Sequence, residues 1–325
     1  MLTFLMFVIV MMPVIAIDLG ATKSAAAVFN KQGTILFSET QQLEKRRGKE
    51  VGALLLHQIA TLLNKASANN FSIPSIGICV PGIAYAKTGN VWCPNIPGWE
   101  DYPLREELEN TFPDKKIKID SDRACYILGE VWKGNAQNCS DAIFLAVGTG
   151  IGAGILVNNQ VLRGANDIAG AIGWMGLDLP FHEKYISCGC FEYNASGEGI
   201  AKVAKEMIRS GKFNESDLAK TNPDDLTAKN VFDAFEKNDP LAKKIMENAI
   251  EYWGMAVANL VSLFNPQKII FGGGVFGPAL KFLDAIYEEA TKWAQPISIK
   301  QVTLEGSALG ADAGLYGAAW LVLKD

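Results

Sequence analysis

Val14-Ile-Ala-Ile-Asp-Leu-Gly-Ala-Thr-Lys23 sets an apolar strand, a carboxylate and a glycine turn in direct succession. Three later stretches end apolar runs on glycine in a related way: Gly77-Ile-Cys-Val-Pro-Gly82, Val147-Gly-Thr-Gly-Ile-Gly152 and Gly272-Gly-Gly274. Glycine lets backbone N–H groups approach anionic oxygens, and turns that aim successive N–H groups inward make anion-binding nests. The combination describes a chain that folds around a phosphorylated nucleotide, since two such turns facing each other can grip a triphosphate.

Outward from the first turn, strands are expected at Val14 to Asp18, Ser24 to Phe29 and Thr34 to Glu39, forming a meander punctuated by Lys31-Gln-Gly33. Apolar residues at helical spacing from Lys49 to Ala66 predict a helix that returns across this sheet, followed by a strand at Ser75 to Val80. A short charged helix (Leu104 to Thr111), a strand (Lys116 to Ile119) and an apolar helix (Ala124 to Lys133) come next. The segment from Asp141 to Arg163 then repeats the opening plan: a strand at Ala142 to Val147, a glycine turn, a strand at Gly154 to Val157, and a hairpin at Asn158-Asn159. This echo predicts duplicated halves with two phosphate turns face to face across a cleft. Beyond it, helices are expected at Gly197 to Gly211, Leu241 to Phe264, Phe276 to Trp293 and Ala308 to Leu323, with a strand at Lys268 to Phe271, so the second half reads as mainly helical.

A length of 325 residues suits two domains of ordinary size, with no excess of basic residues to suggest a nucleic-acid partner: the formal net charge is -5. Residues 1–12 are almost wholly apolar but lack the basic start of a secretory signal and the length of a membrane span. They read as an apolar extension, with an added strand or helix and a membrane anchor as alternatives, and the expected location is cytoplasmic. The six cysteines lie mostly in apolar segments, which does not resemble a secreted disulfide framework.

Asp18-Leu-Gly-Ala-Thr-Lys23, Pro94-Asn-Ile-Pro-Gly-Trp99, Leu128-Gly-Glu130, Gly148-Thr-Gly-Ile-Gly152, Gly164-Ala-Asn166, Gly189-Cys-Phe-Glu192, Asn265-Pro266, Gly272-Gly-Gly-Val275 and Ser307-Ala-Leu-Gly310 occur in that order. The series resembles the ROK family of bacterial sugar kinases and sugar-responsive repressors. The resemblance implies an α/β, two-domain actin-like/ribonuclease H-like ATPase fold with a nucleotide cleft between the duplicated halves. The smaller N-terminal domain is expected over 13–122 with a closing helix at 310–325, and the larger domain over 123–309.

The resemblance further implies transfer of the γ-phosphoryl group of ATP to a sugar hydroxyl. Asp122 occupies the position of the general base, although a carboxylate there also suits a helix cap. Asp18 is similar to the aspartate that holds Mg²⁺ through water. Gly20, Thr22 and Lys23 would line one phosphate turn, Gly148, Thr149 and Gly150 the other, and Gly273 and Gly274 the adenosine loop; simple tight hairpins are the plainer reading of the two turns. Asn95, Asn166 and Glu192 match positions that contact the sugar, and a homodimer is expected. Repressors of the family carry a helix-turn-helix module, for which the residues before Asp18 give no sign.

The chain departs from the family at Ala171-Ile-Gly-Trp174, where a Glu-x-Gly-His element is usual. The two polar sugar ligands are replaced by a small apolar side chain and an aromatic one. Trp174 is therefore expected to stack on a sugar or receive a less polar group, with core packing as the alternative. The substrate is expected to be a hexose, amino sugar or N-acyl sugar other than plain glucose; the alternative is a degenerate protein that binds a sugar as a sensor. The missing histidine also leaves only His182, Cys188 and Cys190 for a zinc site, at a spacing the family does not use, so zinc is not expected and the thiols read as structural.

Overall fold

The computed structural model describes residues 12–211, 213 and 215–324, so the expectation for residues 1–11 lies outside it. In chain order the elements are β1 (Val14–Leu19), β2 (Lys23–Phe29), β3 (Ile35–Gln42), α1 (Lys49–Ala68), β4 (Ser75–Val80), β5 (Ile83–Ala84), β6 (Val91–Trp92), α2 (Leu104–Thr111), β7 (Lys116–Ser121) and α3 (Asp122–Lys133). They continue with β8 (Ala142–Val147), β9 (Ile151–Val157), β10 (Gln160–Val161), α4 (Cys190–Ala195), α5 (Gly197–Arg209), α6 (Ala228–Glu236), α7 (Pro240–Phe264), β11 (Lys268–Gly272), α8 (Leu283–Thr291), β12 (Thr303–Gly306) and α9 (Ala313–Leu323).

The chain forms two compact units, one running up to Lys133 and completed by residues from Asp312 onward, the other spanning Gly134–Ala311. The first holds a sheet in the order β3-β2-β1-β4-β7. β1, β2 and β3 are antiparallel neighbours, as expected of a meander, whereas β4 and β7 run parallel to β1. The second unit holds a sheet in the order β10-β9-β8-β11-β12, with the same antiparallel meander and the same two parallel additions. The echo seen in the sequence is thus an echo of topology.

Alternation along β1 explains how the first sheet is covered on both faces. Ile15, Ile17 and Leu19 join a core formed with Val51, Leu55, Ile59 and Leu62 of α1, while Val14 and Ala16 face Leu315, Ala318 and Val322 of α9. Helix α9 also packs on α3 with almost no space between the backbones. A Cβ on Gly317 would lie 1.8 Å from the Cys125 carbonyl, and one on Gly129 would lie 2.4 Å from that of Ala313. In the second unit a single large core surrounds α7, with Trp253 fully buried at its centre. Asn265 ends α7 in the left-handed conformation (φ 43°), just before Pro266, so the Asn-Pro pair works as a helix stop.

Three expectations are corrected. The helix expected from Phe276 to Trp293 is broken into 3₁₀ turns at Gly274–Phe276 and Pro278–Phe282 before α8 begins, because Gly277 and Pro278 interrupt it. The closing helix starts at Ala313 rather than Ala308, after Gly310 turns the chain at φ +53°. The second sheet also has an edge strand that was not expected, β12, which is only four residues long and shows no clear alternation.

Candidate active site

In the first unit, β-ladder register aligns the carboxylates. Asp18 of β1 lies opposite Cys79 of β4, which lies opposite Asp120 of β7, so all three side chains form a row on the face that α9 covers. Asp18 is half-buried under the first turn of α9, where a Cβ on Gly314 would come within 2.6 Å of its Oδ2. Burial pushes the Asp18 carboxyl up to about 6, against the opposing effects of the Cys79 thiol and the Lys23 ammonium, while Asp312 adds to the rise. Asp120 is buried and accepts a hydrogen bond from the Ser121 N–H at 2.9 Å.

Asp122 stands at the start of α3, where β7 hands directly over to the helix. Capping does not fall to it. The Ser121 hydroxyl accepts the Ala124 N–H at 3.3 Å, the i to i+3 bond of an N-cap, while Asp122 Oδ1 accepts the neighbouring Arg123 N–H at 2.8 Å. The half-buried Asp122 carboxyl is pushed up to about 6, chiefly by burial; Arg123 opposes the shift and Asp18 reinforces it. Arg123 also donates to the Gly82 carbonyl at 3.3 Å, tying the turn after β4 to this helix.

The first glycine turn closes through a Gly20 N–H to Lys23 carbonyl bond of 2.9 Å and leaves Thr22 and Lys23 exposed. Asn95 is exposed on a loop held by Trp99, whose indole is fully buried, stacks on Tyr102 at 4.4 Å and donates to the Gly48 carbonyl at 2.9 Å.

In the second unit, Gly148, Thr149 and Gly274 line one pocket of about 860 Å³. Gly148 and Gly274 have open space where a Cβ would be. Gly273 does not line it but makes its turn possible: at φ +88° its Cα lies so close to β8 that a Cβ would sit 2.4 Å from the Val147 carbonyl. Gly150 likewise backs the turn, facing the Glu192 carboxylate. The pocket's other walls, Gly197 and Ala201 of α5, Phe232 of α6 and Pro278, escaped the sequence reading. One signal was available: Ser196-Gly-Glu-Gly199 is an N-cap sequence, and Ser196 Oγ accepts the Gly199 N–H at 2.9 Å. The Gly197 N–H donates to the Gly148 carbonyl at 2.8 Å, so the start of α5 abuts the glycine turn.

Glu192 of α4 is half-buried and accepts the Ile151 N–H at 2.7 Å; burial raises its carboxyl above the usual range. A Cβ on Gly173 would lie 2.9 Å from Glu192 Oε2, so the Ala171–Trp174 turn packs directly on this glutamate. Trp174 itself is 59% exposed, which removes the core-packing alternative. Asn166 is exposed on the loop after β10. His182, Cys188 and Cys190 do not converge: among the described residues no group of three or more His, Cys, Asp or Glu side chains is arranged to hold a metal ion. No helix among those residues is long and apolar enough to cross a membrane.

The family model for the ROK family matches residues 14–325. A glucokinase from Halalkalibacterium halodurans is 32% identical over 315 residues, covering 95% of this chain and 94% of that protein. A xylose repressor from Caldicellulosiruptor bescii is 30% identical, covering 96% of this chain and 78% of the repressor. The solved structure of a ROK family glucokinase from Streptomyces griseus, in complex with glucose and AMPPNP, superimposes with a TM-score of 0.75 at 26% identity and covers 96% of this chain and all of that one. Sequence match, paired sheet topology and structural likeness agree, and the chain belongs to the ROK family, with the actin-like ATPase fold.

Proposed function

We propose that the protein is an ATP-dependent kinase that transfers the γ-phosphoryl group to a hydroxyl of a sugar or sugar derivative. The observation that carries this reading is Asp122: a carboxylate at a helix start, relieved of capping by Ser121, with an affinity for protons raised toward neutrality. A group of that kind can take the proton from a hydroxyl as its oxygen attacks phosphorus. The Gly148-Thr149 turn lines the pocket beside the start of α5, and the pocket, reaching Gly274, has the volume of a nucleoside site. ATP is supported further by the AMPPNP-bound relative.

Asp18 fits a magnesium ion held through water. Its carboxyl is half-buried near Asp122 and Asp312 and is pushed toward protonation, a condition that a divalent cation relieves. When bound, the ion neutralises charge on the β- and γ-phosphates. Asn95, Asn166, Trp174 and Glu192 are assigned to the sugar, with Ala171 and Trp174 directing choice away from plain glucose.

ADP release measured with Mg-ATP across hexoses, amino sugars and N-acetyl sugars tests the reading, and turnover of at least one is expected. The replaced Ala171 and Trp174, with the xylose-repressor relative, favour one second reading: a sensor that binds sugar without turnover. Calorimetric binding of a sugar with no ADP release from any would establish the sensor instead.

A further inference from the structure

A second pocket of about 820 Å³ opens beside Trp174, and its lining is unlike a sugar site. Its walls are Trp174, Leu177, Leu179, Phe181, Tyr185 and Ile186, with Asp178 as the single charged side chain. Leu179, Phe181 and Ile186 are 88%, 67% and 64% exposed, an unusual concentration of apolar surface around one concavity. The frame beneath is firm: Tyr185 is buried with its ring edge-on to Phe181 and Tyr193, and the Tyr252 hydroxyl donates to Asp178 at 3.1 Å.

Trp174, one of the residues assigned to the sugar, lines this pocket. Gly189 closes it from below, at a point where a Cβ would lie 2.5 Å from the Trp174 Cα. Cys190 also lines it and begins the helix that carries Glu192, against which Gly173 packs. A sugar that reaches Trp174 therefore has an aromatic recess next to it.

We propose that this recess receives an aromatic substituent on the sugar, so that the substrate class is a hexose derivative bearing an aryl or aroyl group. The proposal rests on the kinase reading above. An aryl group buried there should raise affinity about 10- to 100-fold over the parent sugar.

The test is calorimetric titration with phenyl β-D-glucopyranoside and N-benzoyl-D-glucosamine against glucose and glucosamine, with quenching of tryptophan fluorescence by 4-nitrophenyl β-D-glucopyranoside. At least one apolar derivative should bind 10-fold or more tighter than its parent, Phe181→Ala should erase most of that advantage, and Trp174→Phe should keep the binding while weakening the quench. Because Phe181 is exposed, Phe181→Ala should fold, and an unchanged circular dichroism melt checks it. Equal affinity for parents and derivatives would overturn the proposal, as would an advantage untouched by both Phe181→Ala and Leu179→Asp. So would sedimentation showing a dimer that Leu179→Asp dissociates, because a second copy would then fill the recess. ADP release separates the two readings. Parent sugars turned over with no gain from the apolar group would sink this proposal alone, while pocket-dependent binding without ADP would sink the kinase reading and leave the ligand class standing.

Discussion

At the scale of single residues, Asp122 joins two opposed demands. Burial raises its carboxyl to about 6, so at pH 7 the folded protein holds a charge that water would solvate better. Asp122→Asn keeps the shape but cannot accept a proton, so kcat on the true substrate should fall about 10²- to 10⁴-fold with AMPPNP affinity nearly unchanged. A variant that kept most of its kcat would remove Asp122 as the base. The same substitution should stabilise the first unit. A carboxyl whose folded value lies above its unfolded value of 3.8 binds more protons when folded, so its contribution to stability falls as pH rises from about 4 to 6. A shift of that size corresponds to at most about 3 kcal/mol, and contact with solvent reduces it to roughly 1 kcal/mol. In metal-free protein, the melting temperature of Asp122→Asn should therefore exceed wild type by a few degrees at pH 7, with the gap closing at pH 4.5. A gap that widens on acidification would show that the carboxylate is stabilised by its surroundings.

At the scale of elements, glycine separates structural from functional positions. Gly317 lets α9 lie against α3, where a Cβ would meet the Cys125 backbone at 1.8 Å and neither helix can yield without disturbing the apolar face beneath. Gly317→Ala should cost about 2–4 kcal/mol, read as a lowered melting transition, and a neutral effect would mean that the helices part freely. Gly274 has empty space at its Cβ position and lines the larger pocket. Gly274→Val should leave melting unchanged while weakening AMPPNP binding at least about 10-fold by filling space that the nucleoside needs. Unaltered binding would place the nucleoside elsewhere.

At the scale of the whole molecule, the two units differ in how the chain completes them. The core around α7 draws every residue from between Ile143 and Val302, and the larger pocket is lined entirely from the same segment. A fragment of residues 134–311 should fold alone with a single cooperative melt by circular dichroism and bind AMPPNP weakly. The first unit is discontinuous and takes Leu315, Ala318, Ala319 and Val322 of α9 into its core. A chain ending at residue 311 should lose that unit while the other persists, and two intact transitions in such a truncation would contradict this account.

Local sequence pattern was enough to locate every strand of the two five-stranded sheets except β12, together with the glycine turns and the duplication. Apolar runs ending on Asp18, Gly82, Val147 and Gly272 are local signals, and a strand that ends in glycine says so whatever surrounds it. The order of motifs determined the family in the same way. That Ser121 rather than Asp122 caps α3, that α5 and α6 wall the larger pocket, and that Trp174 lies exposed beside an apolar recess became visible in the folded chain alone. Each of these depends on contacts between residues distant in the chain, or on choosing between adjacent side chains of equal capping ability. Helical or strand periodicity records which face is apolar, but not what that face meets.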